Sequence, residues 1–427
     1  MRSFRGKLLT IAVIAAMAFG TAAQAGADAV RASNLELVTS IPGAGGTDIE
    51  FFSRMLMAYR DATGALITPA TPVERHFALV GNQTSGAKIV DITTPTAPFV
   101  AAALKNCTIG QGDPQVSADG MVASIAYQTN GNCKDATGKT VPKGSAMVDL
   151  SDVYNPLVVG SAPETAGSHN NTIHPSGKFL YISTSGASTT IPIYDIADPA
   201  NPRRIQLFDQ AGGPHDIRFS ANGKRAYTAG PGRNFRILNT ENPAAPTVIA
   251  TITAPTTIGH DVLLSPDGRF LFAGEELAGG GTAPCPGGAI FVYDMANEAS
   301  PVLLGAAEAG GGPVVARQYD EAAAVTKTGG CTSHVMDLNP NGKSLTIGWY
   351  TLGTRVFDFS SFYNADGTAK STGVLAASWG TLGVGLVESA HIIPDNANTW
   401  SAKQYAKVLG YIFSDDLNLG LYISKIK

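Results

Sequence analysis

One short motif recurs along this chain and limits the folds open to it. A histidine stands eight residues before a glycine at four places, and an apolar run and a Ser-Gly, Asn-Gly or Asp-Gly turn lie between them. Asn-Gly and Asp-Gly between apolar runs are the strongest short-range signals for a β-hairpin. The four pairs are His169 with Gly177, His215 with Gly223, His260 with Gly268, and His334 with Gly342.

A second motif follows the hairpins along the chain. It consists of two or three apolar residues, an Asp (once Asn), an apolar residue and a turn rich in Asp, Asn and Pro. This order predicts a buried third strand, a tight turn and a more polar outer strand. Four antiparallel strands in a unit of about 45 residues form the blade of a β-propeller. The copies lie at 87–98, 146–156, 191–202, 235–246, 290–301 and 354–362.

Counting these units predicts an all-β protein with seven blades. Blade one starts at 45–52 with Thr47 in the histidine position, and blade two starts at 110–120 with Asp113 in that position or one residue away. Blades three to six start at the four histidines above, and blade seven is predicted to start at 389–396 with His391.

The end of the chain supplies only three strands for the last blade. Residues 34–43 resemble the fourth strands of the other units, so we expect them to complete blade seven. Pairing of the N- and C-terminal strands would close the ring and remove the free sheet edge, which otherwise invites aggregation.

The N-terminus predicts export. Residues 1–25 have a basic start, an apolar run and an Ala-Gln-Ala end, the pattern of a cleaved signal peptide, with an uncleaved anchor as the alternative. We therefore expect a single propeller domain over 26–427 in the periplasm or outside the cell, with no membrane span after cleavage. Removing the three basic residues of this segment moves the formal charge from −4 to −7. An acidic chain without a basic run argues against a nucleic-acid partner.

Four cysteines remain after the predicted cleavage, an even number that favours two disulfides in an oxidising compartment. The loops that carry them are expected at the face where the first strand of each blade begins. Their positions predict the bridges Cys107–Cys133 and Cys285–Cys331. No two of them have the C-x-x-C spacing of a cysteine metal site.

The strand centred on Asp and followed by a Pro-rich turn resembles the LVIVD-repeat family of bacterial propellers, over nearly all of the mature chain. This resemblance implies a propeller fold and says little about activity. The histidine positions also give an architectural resemblance to two groups of propeller enzymes. Carotenoid-cleaving oxygenases hold an iron with four histidines that lie at the axis of the propeller. Methanethiol oxidases of the selenium-binding-protein type are thought to use copper.

Five of the seven histidines occupy one repeat position, at the mouth of the predicted channel. Imidazoles that converge on the axis would form a site for a transition metal, with copper or iron favoured and zinc also compatible. The alternative is structural, because propellers of the WD type carry a Gly-His dipeptide that ties strands within a blade, and Gly259-His260 matches it. The predicted metal ligands are His169, His215, His260, His334 and His391.

Several acidic residues accompany the histidines. Asp48, Asp216 and Asp261 follow the histidine position directly, and alternation along a strand would point them away from the axis. There they would orient an imidazole or cap a turn. Four further acids are candidates for a general base at the mouth or are ordinary solvated acids: Asp113, Glu275, Glu276 and Glu388.

Two classes of function follow from the sequence. The first is an exported metalloprotein, and if it is an enzyme we expect an oxidase or oxygenase acting on a small-molecule substrate. The second is a propeller without catalysis that binds a protein or glycan at its loop face. Convergence of the histidine side chains would favour the first class.

Overall fold

The computed structural model is built almost entirely of β-strands and turns. The residues it describes are 31–83, 86–104, 112–128, 133–184, 189–209, 213–230, 233–256, 258–285, 287–305, 327–379 and 384–427. The predicted signal segment therefore lies outside the described residues.

Seven antiparallel sheets follow one another along the chain as the blades of a propeller. The first strand of each blade contacts the first strand of the next, and the first strand of blade seven contacts that of blade one. The predicted seven-bladed all-β fold is thereby confirmed. In the described part, no helix is long and apolar enough to cross a membrane.

The blades have the following strands. Two strands precede blade one: β1 (Arg31–Ser33) and β2 (Leu35–Ile41). Blade one contains β3 (Ile49–Leu56), the small hairpin β4 (Tyr59–Arg60) and β5 (Leu66–Ile67), β6 (Val73–Val80), β7 (Lys88–Asp91) and β8 (Phe99–Ala103). Blade two contains β9 (Pro114–Val116), β10 (Val122–Tyr127), β11 (Gly144–Asp149) and β12 (Leu157–Pro163). Blade three contains β13 (Ser168–Ile173), β14 (Phe179–Thr184), β15 (Ile191–Asp195) and β16 (Arg203–Phe208).

The remaining blades continue in the same order. Blade four contains β17 (Asp216–Phe219), β18 (Arg225–Ala229), β19 (Asn234–Asn239) and β20 (Thr247–Thr253). Blade five contains β21 (Gly259–Leu264), β22 (Phe270–Glu275), β23 (Ala289–Asp294) and β24 (Val302–Gly305). Blade six contains β25 (Met336–Leu338), β26 (Ser344–Gly348), β27 (Thr354–Asp358) and β28 (Val387–Ile393). Blade seven contains β29 (Thr399–Lys403), β30 (Tyr411–Asp416) and β31 (Gly420–Ile426). The described helical segments are α1 (Thr372–Ser378) and two single 3₁₀ turns (Leu277–Gly279 and Ser360–Phe362).

The two ends of the chain close the ring. Strand β2 pairs antiparallel with β31, from Leu35 opposite Ile426 to Ile41 opposite Leu421, and completes blade seven as its fourth strand. Strand β1 adds a fifth strand to blade six by pairing with β28. Because both strands come from the N-terminal segment, blades six and seven cannot separate without breaking a sheet. The prediction for residues 34–43 is confirmed.

Local turn chemistry explains why the repeat folds this way. The glycine of the first hairpin turn has a positive φ, for example 69° at Gly223 and 72° at Gly268, a conformation that costs glycine little. In blades one to six, the Asp that ends the third strand (Asn in blade four) accepts a hydrogen bond from the backbone N–H two residues later, at 2.8 Å for Asp294 and Ala296. This contact turns the chain out of the buried strand and into the outer one.

The predicted start of blade seven was wrong. Residues 387–393 form β28, the outer strand of blade six, and the first strand of blade seven is β29. The cause is the long connection between Asp358 and Val387, which contains a 3₁₀ turn and α1 and delays the outer strand of blade six. An apolar outer strand that carries a histidine then resembled the start of the next blade.

Candidate metal centre

We name three repeat positions at the start of each blade as layers, and most of their side chains line two adjoining cavities. The histidine layer comes first in the chain, and the first and second channel layers lie one and three residues later. The histidine layer contains Thr47, Gly112, His169, His215, His260, His334 and Trp400. The first channel layer contains Asp48, Asp113, Asn170, Asp216, Asp261, Val335 and Ser401. The second channel layer contains Glu50, Gln115, Thr172, Arg218, Leu263, Asp337 and Lys403.

Irregular backbone explains how two consecutive residues both reach the axis. The register shifts by one residue at the histidine layer in blades three, five and seven. In blade four, β17 begins only after His215. A β-bulge interrupts the alternation of a strand and re-aims a side chain, as it often does beside functional sites.

Four imidazoles from consecutive blades form an arc around the axis, which we call the histidine arc. The ring centroids are 4.2 Å apart for His169 and His215, 4.0 Å for His215 and His260, and 3.9 Å for His260 and His334. The Nε2 atoms of His169 and His215 are 2.7 Å apart. Two imidazoles bound tetrahedrally to one metal, with bonds of about 2.1 Å, keep their nitrogens about 3.4 Å apart. The 2.7 Å contact is therefore a hydrogen bond between the two rings, and the nitrogens would have to separate slightly to share one ion.

Neighbouring groups fix the outer rings of the arc. Nδ1 of His334 lies 2.8 Å from the carbonyl oxygen of Trp400, which can only accept, so Nδ1 holds the proton and Nε2 presents its lone pair. The side-chain amide of Gln128 contacts Nδ1 of His169. Metal-binding histidines are usually oriented by such contacts on their second nitrogen.

His260, in the centre of the arc, has no such support. Its side chain is 1% exposed, and neither ring nitrogen has a hydrogen-bond partner among the described residues. Buried polar groups in native proteins nearly always have partners. An unpartnered imidazole that lines a cavity with His215 and His334 is the feature that a bound ion would satisfy.

The four imidazoles are uncharged at neutral pH. Burial lowers the pKa of His169 to about 4 and the pKa values of His260 and His334 to about 3. Burial and the neighbouring imidazoles place the pKa of His215 well below its ordinary value. The neutral ring is the form that binds metals.

Glu276 adds an oxygen to the arc. One ligand atom from each of His215, His260 and Glu276 lies within 4.8 Å of the others, and Glu276 Oε2 is 3.9 Å from His260 Nε2. The hydroxyl of Tyr350 donates to the other carboxylate oxygen at 2.5 Å. Burial and Glu276 raise the pKa of Tyr350 far above its ordinary value, so the phenol keeps its proton. Glu275, the other candidate, accepts a hydrogen bond from Thr256 at 2.9 Å.

His391 and Glu388 do not belong to this arc. Both lie on β28, the outer strand of blade six, where His391 Nδ1 is 2.7 Å from Glu388 Oε1. Glu388 also accepts a hydrogen bond from Arg355 at 2.6 Å. The assignment of His391 to the inner strand position was wrong for the same reason as the start of blade seven.

The acids after the histidine position face the channel rather than pointing away from it. Asp48, Asp113 and Asp216 line one internal cavity, so the expectation from simple alternation was wrong for Asp48 and Asp216. Asp261 joins three blades, because it accepts hydrogen bonds from Arg218 at 3.2 Å and from the N–H of Met336 at 2.8 Å. None of these four carboxylates has a hydrogen bond to an imidazole in the described part of the chain.

A disulfide lies beside the arc. The bridge Cys285–Cys331 is present as predicted, and it joins a loop after Glu276 to the segment that leads into His334. The hydroxyl of Thr332 and the N–H of Leu277 are hydrogen bonded at 2.8 Å, which ties the same two segments. Cys133 is also in a disulfide, whereas Cys107 lies outside the described residues.

Comparisons with known proteins identify the fold but not a family. No protein-family model and no curated protein matches the chain. The β-propeller domain of Myceliophteria thermophila Cps50 (Swd1) is 12% identical, with 92% of this chain and 100% of that chain covered and a TM-score of 0.55. A chain of Kuenenia stuttgartiensis hydrazine synthase is 13% identical, with 87% and 95% covered and a TM-score of 0.57. A functionally unknown protein from Desulfotomaculum acetoxidans DSM 771 is 17% identical, with 75% and 86% covered and a TM-score of 0.46. At identities this low, the Cps50 and hydrazine synthase structures indicate a shared fold and nothing more.

Proposed function

We propose that this protein is an exported metalloprotein whose transition-metal centre is built from the histidine arc and Glu276. The core ligands are His215, His260 and Glu276, and His169 and His334 complete the nitrogen side. A redox metal, iron or copper, suits the site better than zinc, and it would supply oxidase or oxygenase chemistry for a small molecule.

The observation that carries this proposal is the meeting of four imidazoles from four separate blades. A histidine with a purely structural role would have hydrogen-bond partners for its ring nitrogens. His174, outside the arc, shows this behaviour, with the hydroxyl of Ser176 at 2.8 Å and the carbonyl of Gly223 in the next blade at 3.0 Å. Within the described residues neither ring nitrogen of His260 has a hydrogen-bond partner, which favours the metal over the structural alternative.

The type of ligand favours iron or copper. Two imidazoles and one carboxylate with open positions are typical of non-haem iron(II) oxygenases, and imidazole-rich sites hold copper(II) most tightly among the common divalent metals. Glu276 has a second role in this scheme: the Tyr350 hydroxyl bound to it can hold a proton next to the ligands. His260, His334, Glu276 and Tyr350 are buried, and His169 and His215 are half-buried, so contact of the site with bulk water is limited.

We also propose that the protein is exported and that it belongs to the LVIVD-repeat family. The signal-like residues 1–25 support export, and the bridge Cys285–Cys331 fits an oxidising compartment. A single domain over 26–427 is consistent with the closure of blade seven by β2.

Metal content tests the proposal directly. Protein exported to the periplasm and purified without a histidine tag is analysed by inductively coupled plasma mass spectrometry, before and after reconstitution with iron(II) or copper(II). We expect about one metal per chain in the wild type and almost none in the His215→Ala, His260→Ala double variant.

Two controls make the result specific. His391→Ala removes a histidine of similar sequence context outside the arc and should keep its metal. Circular dichroism and thermal melting establish that the double variant is folded. Absence of metal from the reconstituted wild type, or equal metal in the double variant, contradicts the proposal and leaves a binding propeller as the better account.

A further inference from the structure

The central channel beneath the histidine arc carries a large excess of acid. Its two channel layers contain six carboxyl groups and two basic side chains, a formal charge of −4. The acids are Asp48, Glu50, Asp113, Asp216, Asp261 and Asp337, and the bases are Arg218 and Lys403. Most of these side chains line one cavity of about 260 Å³.

The two basic side chains are already engaged. Lys403 lies 2.8 Å from Asp48 and 3.0 Å from Glu50. Arg218 lies 3.2 Å from Asp261 and 3.8 Å from Asp337. Asp113 and Asp216 form no ion pair in the described part of the chain, so the two basic side chains leave these carboxyl groups without a cationic partner.

Independent features of the lining point to a ligand that is a cation. Asp48 is 4% exposed, and its Oδ1 has no hydrogen-bond partner within the described ranges. The cavity also continues into the pocket of the histidine arc, because Asp113, Asn170 and Val335 line both. At the end of that pocket lies His260, whose ring nitrogens have no hydrogen-bond partner among the residues that the structure describes.

The exposure of the carboxylates gives the channel a direction. In the second channel layer the side chains of Glu50 and Asp337 are 25% and 28% exposed, whereas that of Asp48 in the first channel layer is 5% exposed. A cation would therefore enter from the face opposite the arc and meet the buried acids next. Clefts lined with one sign of charge concentrate the opposite ion and raise its association rate about 10- to 1,000-fold.

We infer that the acidic channel is the entry path by which a hydrated divalent metal ion reaches the histidine arc. This inference rests on the proposed metal centre and adds the route and its selectivity for cations. Carboxylates bind hydrated ions weakly and exchange them quickly, whereas imidazoles hold transition metals. The ion therefore passes from the oxygen-lined channel to the nitrogen-lined site.

The test is the rate of copper(II) uptake by metal-free protein, measured by stopped flow through quenching of tryptophan fluorescence. The ring of Trp400 lies 4.7 Å from that of His334, close enough to report a paramagnetic ion in the arc. Gln115→Lys places a positive charge in the second channel layer, away from the proposed ligands, and Asp113→Asn removes an unpaired acid. Gln206→Lys, on the exposed face of β16, is the matched control with the same change of charge.

We expect Gln115→Lys to slow uptake by about tenfold or more at low ionic strength, and Asp113→Asn to slow it less. The difference from wild type should shrink above about 0.1 M salt, where charges are screened within about 10 Å. The final copper content should be unchanged in both variants. Rates equal to that of Gln206→Lys overturn the entry path, as does a loss of copper content without a change in rate. A wild type that binds no copper overturns the metal centre itself and this inference with it, and the final content identifies that case.

Discussion

Replacing His260 by leucine distinguishes a metal ligand from a structural histidine, because the two roles predict opposite changes in the stability of the metal-free protein. His260 is 1% exposed and has no hydrogen-bond partner for either nitrogen within the described residues. A buried polar group without a partner costs about 1–3 kcal/mol, and leucine has no such group. The metal-free His260→Leu protein should therefore be as stable as the metal-free wild type, or more stable.

The size of the effect follows from the length of the folded chain. Unfolding entropies of about 2.1 cal/mol/K per residue give about 0.8 kcal/mol per degree for about 400 residues. We expect the melting temperature of metal-free His260→Leu to rise by up to about 4 °C. Metal at a thousand times its dissociation constant stabilises the wild type by about 4 kcal/mol, or about 5 °C, and the variant should lose this increment.

Differential scanning calorimetry of protein treated with EDTA and of protein saturated with metal measures both quantities. His174→Leu is the control, because both nitrogens of His174 are hydrogen bonded and its loss should lower the melting temperature equally with and without metal. If His260→Leu behaves like His174→Leu and retains the shift caused by metal, then His260 is structural and our reasoning about the arc fails.

Three further predictions concern the scaffold. The Cys285→Ser, Cys331→Ser variant should lose about 4 kcal/mol of unfolding free energy in urea titrations, because the bridge closes a loop with a sequence separation of 46; an unchanged midpoint would contradict this. Deletion of Leu35–Ile41 should expose the edge of blade seven and cause self-association, seen by size-exclusion chromatography; a stable monomer would argue against closure by this strand. Burial alone would raise the pKa of Asp294. Hydrogen bonds to its carboxylate, of which that from Arg269 has the largest effect, outweigh burial and leave the pKa below its ordinary value. The pair therefore stabilises the fold above the ordinary carboxyl pKa, and this contribution is lost as the pH falls through the lowered value. Arg269→Met should cost about 1–3 kcal/mol at pH 7 and much less near pH 3, by urea titration at both pH values; a cost independent of pH would refute the assignment.

Much of the fold could be predicted because its signals are local. The hairpin turn needs a glycine with positive φ, and the third strand ends where an Asp accepts a hydrogen bond two residues on. Both requirements fall within a few residues, so they repeat visibly in the sequence. The match between residues 34–43 and the other fourth strands was sufficient to predict how the ring closes.

The error at His391 arose where local signals stop being sufficient. A strand of blade six that follows a connection of nearly thirty residues carries the same apolar pattern as a first strand. Only its pairing with β27 and β1 identifies it as an outer strand. In blade seven, Trp400 occupies the position that histidine holds in blades three to six. The repeated histidine motif therefore could not indicate which residue fills this position.

The channel shows a second limit of reasoning from the sequence. Alternation along a strand predicted that Asp216 points away from the axis, but irregular backbone at the histidine layer lets consecutive residues face it. Glu276 was one of several candidate bases, and nothing in its local sequence distinguished it from Glu275. Its selection depends on the position of Tyr350, 74 residues away in the chain.

The sequence by itself determined the all-β propeller, its closure by the two termini, the bridge Cys285–Cys331 and the repeat position that four converging histidines share. These features depend on turn chemistry and on spacing, which each repeat carries within itself. The tertiary structure decided which histidines meet, that Glu276 and Tyr350 join them, and that the acids beneath face a common channel. Such contacts join residues from different blades, and their distances depend on how the blades pack and where the strands bulge.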